Sequence, residues 1–214
     1  MREKIEHRNG DRYEGGIIKG KRHGAGTYVF ADGSRYEGGW VSGRKHGSGK
    51  FFYASGAKYE GFWSNDRKEG KGMYTYPSGN KYTGSWLNGL PMGKGTMKYA
   101  NGDKYEGMWL NGLPHDIGMY TTAGKHIYIG HWLDGKMHGQ GVYKYPFGDR
   151  YEGEWANDKK NGKGILFYAI GDKYEGMWQD DVQHLEGTYY YANGRRENRK
   201  YKNGVLQEDK GGRK

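Results

Sequence analysis

The sequence predicts an all-β chain, an elongated antiparallel β-hairpin meander of eight 23-residue repeats stacked as a solenoid-like rod. Three observations predict it. Tyr-Glu-Gly or a close variant starts every 23 residues, at Tyr13, Tyr36, Tyr59, Tyr82, Tyr105, Tyr128, Tyr151 and Tyr174. Four positions on come all seven tryptophans, Trp40, Trp63, Trp86, Trp109, Trp132, Trp155 and Trp178, with Ile17 in that place in the first repeat. Thirteen positions after each Tyr stands a glycine: Gly26, Gly49, Gly72, Gly95, Gly118, Gly141, Gly164 and Gly187.

The elements follow in order along each repeat. The Tyr-x-Gly-x-Trp segment has the period of two that a strand requires, so its Tyr, Gly and Trp share one face. The second segment, such as Gly26, Tyr28 and Phe30 or Gly49, Phe51 and Tyr53, repeats that period and puts its glycine and rings on another. Turn residues separate the two, as in Lys19-Gly20-Lys21-Arg22-His23-Gly24 within a repeat and Ala31-Asp32-Gly33-Ser34 between repeats. Glycine within a strand normally weakens it, but a glycine beneath a large ring leaves room for the ring to lie against the backbone. That accounts for 21 Tyr and 7 Trp beside 41 Gly. One hairpin buries too little to fold alone, so neighbouring hairpins must complete the core.

The expected layout is an N-terminal extension over 1–9, the array over 10–194, a degenerate ninth unit or cap over 195–204 and a basic tail over 205–214. Tyr201 falls in the tryptophan register of that last unit. Repeat five departs from the pattern, with Asp116 in place of a glycine and Thr122 in place of a ring, and a kink or bulge is expected there.

Composition excludes several classes. An aromatic content of 16% argues against disorder, and the glycine content argues against a helical bundle. Without cysteine there is no disulfide framework, thiolate zinc site or cysteine nucleophile. No run reaches the 18 or so apolar residues of a membrane helix, and the first residues lack the apolar core of a signal peptide, so a cytoplasmic address is expected. The charge of +10 is spread among acids and sits mainly in residues 1–72, which reads as a solvated surface. The rings are assigned to the stack and not to a basic groove, so no nucleic-acid partner is expected.

The unit Gly148-Asp149-Arg150-Tyr151-Glu152-Gly153-Glu154-Trp155, continuing to Gly164, closely resembles the membrane occupation and recognition nexus (MORN) repeat. The resemblance covers about residues 10–194 and implies a non-catalytic module. The stretches Tyr13 to Tyr28 and Tyr151 to Asp158 look like repeats of the radial spoke head proteins of motile cilia and flagella. This implies a structural scaffold in the cytoskeleton of the axoneme, assembled with other radial spoke head proteins, with a homo-oligomer as an open arrangement.

Candidate sites are few. His23, His46, His115, His138 and His184 share one register, but successive repeats lie about 10 Å apart, too far for one metal ion, so they are read as turn-stabilising. Basic residues before the Tyr and Glu after it form a charge ladder on one polar face, with no paired-carboxylate chemistry. No catalytic, metal or cofactor-binding residue is expected. The inner turn changes from basic to apolar at Leu90, Pro91, Met92, Leu113 and Pro114, and again at Val182 and Leu185, which are the candidate partner-binding residues. The alternative is a peripheral membrane module whose Lys21, Arg22, Arg44, Lys45, Arg67 and Lys68 hold anionic phosphoinositides.

Overall fold

The repeat dictates a uniform local structure, and the computed structural model shows it over residues 2–207, which are the residues described. Each repeat is two strands. They run β1 (Arg2–Glu6), β2 (Arg12–Ile18), β3 (Lys21–Val29), β4 (Arg35–Val41), β5 (Arg44–Phe52), β6 (Lys58–Ser64), β7 (Arg67–Thr75), β8 (Lys81–Leu87), β9 (Leu90–Lys98) and β10 (Lys104–Leu110). There follow β11 (Leu113–Thr121), β12 (Ile127–Leu133), β13 (Lys136–Lys144), β14 (Arg150–Ala156), β15 (Lys159–Phe167), β16 (Lys173–Gln179), β17 (Val182–Tyr190), β18 (Arg196–Lys202) and β19 (Val205–Leu206). The chain divides into two compact units, Met1–Leu113 and Pro114–Lys214. Within each, every strand pairs antiparallel with the next, a meander without crossovers.

Register makes the two ring-bearing segments share a single face, where the sequence suggested two. Tyr36 lies opposite Phe51 and Gly38 opposite Gly49. Tyr151 likewise lies opposite Leu166, and Gly153 opposite Gly164. The ring of Tyr36 lies over that glycine pair, and a Cβ on Gly49 would fall on its hydroxyl. The hydroxyl donates to the Gly39 carbonyl at 3.0 Å. In the second unit the Tyr151 hydroxyl donates to the Glu154 carbonyl at 3.1 Å. Glycine is thus required here by close approach of a ring, as the composition implied.

Tyr36, Tyr59, Tyr82, Tyr128 and Tyr151 each meet two indoles edge-on. Tyr36 stands 5.1 Å from Trp40 and 5.4 Å from Trp63, while Tyr151 stands 5.3 Å from Trp155 and 5.2 Å from Trp178. Edge-to-face contacts of this kind contribute about 0.5 to 1.5 kcal/mol each beyond burial. The Trp40 indole also donates to the Gly26 carbonyl at 3.2 Å, and Trp178 to Gly164 at 3.2 Å. Trp63, Trp86, Trp132 and Trp155 make the same bond, which ties each of these repeats to the one before it. Tyr13, Tyr36, Tyr59, Tyr82, Tyr105, Tyr128, Tyr151 and Tyr174 are the largest fully buried side chains.

The inner turns are tighter than the sequence suggested. Only two residues make each one, for example Asn88 (φ 51°) and Gly89 (φ 88°), both left-handed as a type I′ hairpin requires. Lys21-Arg22 and Leu90-Pro91-Met92, assigned to turns from the sequence, therefore lie inside β3 and β9.

Both ends of the described chain hold more structure than expected. Residues 2–6 of the supposed extension form β1, paired with β2 from Arg2 opposite Gly16 to Glu6 opposite Arg12. At the other end Tyr201 occupies the tryptophan position and stands 5.5 Å edge-on from Tyr174. Arg199, in the glycine register, covers the Tyr189 ring at 4.0 Å and donates to the Tyr191 hydroxyl at 2.8 Å. Val205 and Leu206 of the expected tail pair with β18, and the rest of the expected tail past residue 207 lies outside the described residues.

Repeat five needs no bulge in its outer turn. Thr122 N–H donates to His126 O at 2.9 Å and Lys125 N–H to Thr122 O at 2.9 Å. The same pair of bonds closes the regular turn from Phe30 to Ser34. Asp116 (φ 54°) adopts the left-handed conformation of Gly93 (φ 70°) at the same register, which aspartate tolerates better than most residues.

Candidate interaction surface

Strand alternation sorts the six candidate basic residues into two sets. Arg22, Lys45 and Lys68 fall on the tryptophan face, and Lys21, Arg44 and Arg67 on the other. The first set is spent on the core. Arg22 covers the Trp40 ring at 4.2 Å and donates to the Gly43 carbonyl at 2.8 Å. Lys45 lies 4.8 Å from Trp63, and Lys68 lies 4.8 Å from Trp86 and 4.3 Å from Tyr74. In the second unit Lys160 does the same over Trp178 at 4.7 Å. Burial, with the neighbouring Lys45 charge, pushes the Lys68 ammonium down to about 8. Among the described residues Lys21, Arg44 and Arg67 are exposed and make no ion pair.

The apolar candidates divide by the same rule. Pro91 pairs with Trp86 and is buried where other repeats place Arg22 or Lys45, so it belongs to the core and not to a docking strip. Pro114 and Met92 are half-buried. Leu90 and Leu113 are exposed, as are Val182 and Leu185 in the second unit. Leu185 is held at φ 56° in a register that is glycine in most repeats.

Two leucines belong with them that sequence reading passed over. Leu87 lies directly opposite Leu90, and Leu110 flanks the same turn as Leu113. All four are 39 to 47% exposed. The twice-written Leu-Asn-Gly-Leu, at 87–90 and 110–113, was the available signal. Phe147, 93% exposed, and Ile170, 75% exposed, were also missed. They occupy the outer-turn position held elsewhere by Asp32, Ser55, Ser78, Asn101 and Asn193, and a break in that polar pattern could have found them.

The polar face carries the expected charge ladder. Arg35 pairs with Glu37 at 3.0 Å, Lys50 and Lys58 both pair with Glu60 at 3.0 and 2.8 Å, and Arg150 pairs with Glu152 at 2.7 Å. Such exposed pairs contribute about 0 to 1 kcal/mol each. An open groove of about 1290 Å³ lies on this face of the second unit, floored by Gly153, Gly164 and Gly187. Of its five glutamates, Glu152, Glu175 and Glu197 are engaged by Arg150, Lys173 and Arg199, Glu186 lies 4.0 Å from Lys200, and Glu154 accepts from the Lys163 amide at 3.3 Å, an arrangement that fixes register and does not poise an acid against a base.

Two histidines of the row reach the neighbouring turn. His115 Nδ1 lies 3.8 Å from the Asp134 carboxylate, and His184 Nδ1 accepts from the Asn203 amide at 3.4 Å. Among the described residues no three His, Asp or Glu converge on a metal position, and no helix is long and apolar enough to cross a membrane.

A face of stacked rings, a polar face of paired charges and variable hairpin tips define a tandem-repeat protein. The MORN repeat matches residues 13–35, 36–58, 59–81, 82–104, 105–124, 128–150, 151–173 and 174–195, and the chain belongs to that family. The shortened fifth match stops at Gly124, just before Lys125 takes the left-handed position (φ 65°) that glycine holds in most outer turns. No curated protein matches the chain. Among solved structures it is similar to the TCP10 domain of Danio rerio CPAP, at 12% identity and TM-score 0.53, covering 92% of this chain and 94% of that one. It is also similar to the G-box domain of the microcephaly protein CPAP, at 13% identity and TM-score 0.51, covering 94% of this chain and 100% of that one. At such identity the likeness concerns the fold alone.

Proposed function

We propose that this chain is a non-catalytic scaffold that binds other proteins in the axoneme of motile cilia or flagella, as a radial spoke head component. The observation that carries the protein-binding part is the exposed leucine set at the hairpin tips, Leu87, Leu90, Leu110 and Leu113, which together leave apolar surface in solvent at two successive turns. The axonemal part rests on the resemblance of Tyr13 to Tyr28 and Tyr151 to Asp158 to spoke-head repeats. A tagged copy expressed in a ciliated cell should remain in salt-washed axonemes. Its loss from that fraction, with recovery in detergent-soluble membranes, would overturn the assignment.

A second reading, a peripheral module on anionic phosphoinositides, is favoured by the exposed cations Lys21, Arg44 and Arg67. With Arg22, Lys45 and Lys68 committed to aromatic rings, about 1 kcal/mol per remaining cation gives only about 3 kcal/mol. Flotation with anionic vesicles at physiological salt decides this reading, and absence of binding rejects it.

A further inference from the structure

Five inner hairpin tips follow one another along one edge of the first unit. On the face away from the tryptophans each tip presents the two residues flanking its turn. These are Ile18 and Lys21, Val41 and Arg44, Ser64 and Arg67, Leu87 and Leu90, then Leu110 and Leu113. The tips are held in line by backbone bonds, Gly43 N–H to Arg22 O, Asp66 to Lys45, Gly89 to Lys68 and Gly112 to Pro91, all at 2.9 to 3.1 Å.

Only the charge of this row is segregated. The first three tips carry Lys19, Lys21, Arg44 and Arg67 beside the exposed Ile18 and Val41, while the last two carry four leucines and no charge. Among the described residues none of these cations is in an ion pair, and the nearest acids bond to backbone instead, Asp66 accepting from the Lys45 amide at 2.9 Å and Glu69 from the Asn88 amide at 3.2 Å. Arg67 reaches only the neutral Asn88 side chain, at 3.0 Å.

A bilayer offers every tip the same surface, so a row that carries its charge at one end only gains nothing from that order there. A polypeptide segment differs in chemistry between its two ends. We propose that this row docks a segment of a partner protein with an apolar run, seated on Leu87, Leu90, Leu110 and Leu113, joined to an acidic run that lies along Lys21, Arg44 and Arg67. Hairpins of two strands at about 4.8 Å place successive tips about 10 Å apart, so four steps span about 40 Å. That is about 12 residues of extended chain or about 27 of helix. The inference deepens the reading of this chain as a protein-binding scaffold and rests on it.

The test is selection of a random peptide library displayed on phage against the full chain. Enriched peptides should carry an apolar run beside a run of Asp or Glu. Leu90→Asp with Leu113→Asp should weaken their binding at least about tenfold, and Arg44→Glu with Arg67→Glu should weaken it several-fold and remove its dependence on salt. Near-ultraviolet circular dichroism and melting temperature should stay at wild-type values in both, and Leu90→Ser with Leu113→Ser is the milder pair should the aspartates disturb the fold. Enrichment of peptides without acids, binding that survives both variants, or no enrichment at all would overturn the proposal. So would binding to phosphatidylserine vesicles that the arginine variants abolish while no peptide is enriched. None of these outcomes alters retention in salt-washed axonemes, so the docking row and the axonemal address fail separately.

Discussion

Replacing Gly49 by Ala tests whether ring-over-glycine packing is what holds the repeats together. The added Cβ would fall on the Tyr36 hydroxyl and within 2.6 Å of the ring carbons Cε2 and Cζ, against an ordinary carbon contact of about 3.5 to 4.0 Å. Tyr36 is fully buried and cannot swing into solvent. It must retreat, stretching its 3.0 Å bond to Gly39 O and its edge contacts with Trp40 and Trp63. Overpacking costs about 1 to 3 kcal/mol, the hydrogen bond about 0.5 to 1.5 and the ring contacts up to about 1.5 each. The unfolded chain returns about 0.4 to 1 kcal/mol through its lower entropy. A net loss of about 2 to 4 kcal/mol is expected in urea unfolding followed by tryptophan fluorescence. In a Tyr36→Leu background, where the ring is gone, the same substitution should cost under about 1 kcal/mol. A loss below about 0.5 kcal/mol in the wild type, or equal losses in both backgrounds, would refute the reasoning.

Leu185→Gly should stabilise the second unit by up to about 1 kcal/mol, because it relieves a left-handed leucine worth about 1 to 2 kcal/mol against an entropic loss of about 0.4 to 1. A fall in melting temperature would show that leucine packing outweighs the strain, and Asp116→Gly serves as the control with the smaller expected gain. Lys68 should titrate near 8 when followed by nuclear magnetic resonance of a labelled side chain. Its folded pKa lies below the unfolded value of about 10.4, so folding disfavours the charged form and stability rises as pH climbs from about 8 to about 10. Lys68→Met should lessen that rise, to which Lys45 and Lys160 also contribute, whereas titration above 10 would show that the surrounding ring faces outweigh burial. Past pH 10 stability should fall in both proteins, because burial raises the buried tyrosine hydroxyls such as Tyr36 and Tyr59 above their unfolded value.

How much of this was legible in the sequence depended on periodicity. A period of two inside a period of 23 assigns strands, turns and the ring-bearing positions, because side chains of a strand alternate by geometry and identical repeats must pack identically. The Tyr, Trp and Gly registers, the charge ladder and the cap around Tyr201 were readable for that reason. The surface was only half readable. The change at Leu90 and Leu113 stood out as a break in the repeat, yet Leu87 and Leu110 did not, because turn length decides which residues oppose each other and the turn was read as longer than two residues.

What the sequence alone determined is therefore the class of fold and the composition of its core, since both follow from local geometry repeated eight times. Register was left to the tertiary structure. Pairing Tyr36 with Phe51 merged two presumed faces into one. Pairing Trp86 with Pro91 buried a proline assigned to the surface. The same alternation turned three of six basic residues onto indole rings and left the other three in solvent beside the leucines. Adjacent residues of a strand point to opposite faces, so a shift of one position exchanges core for surface, and only the hydrogen-bonded register says which is which.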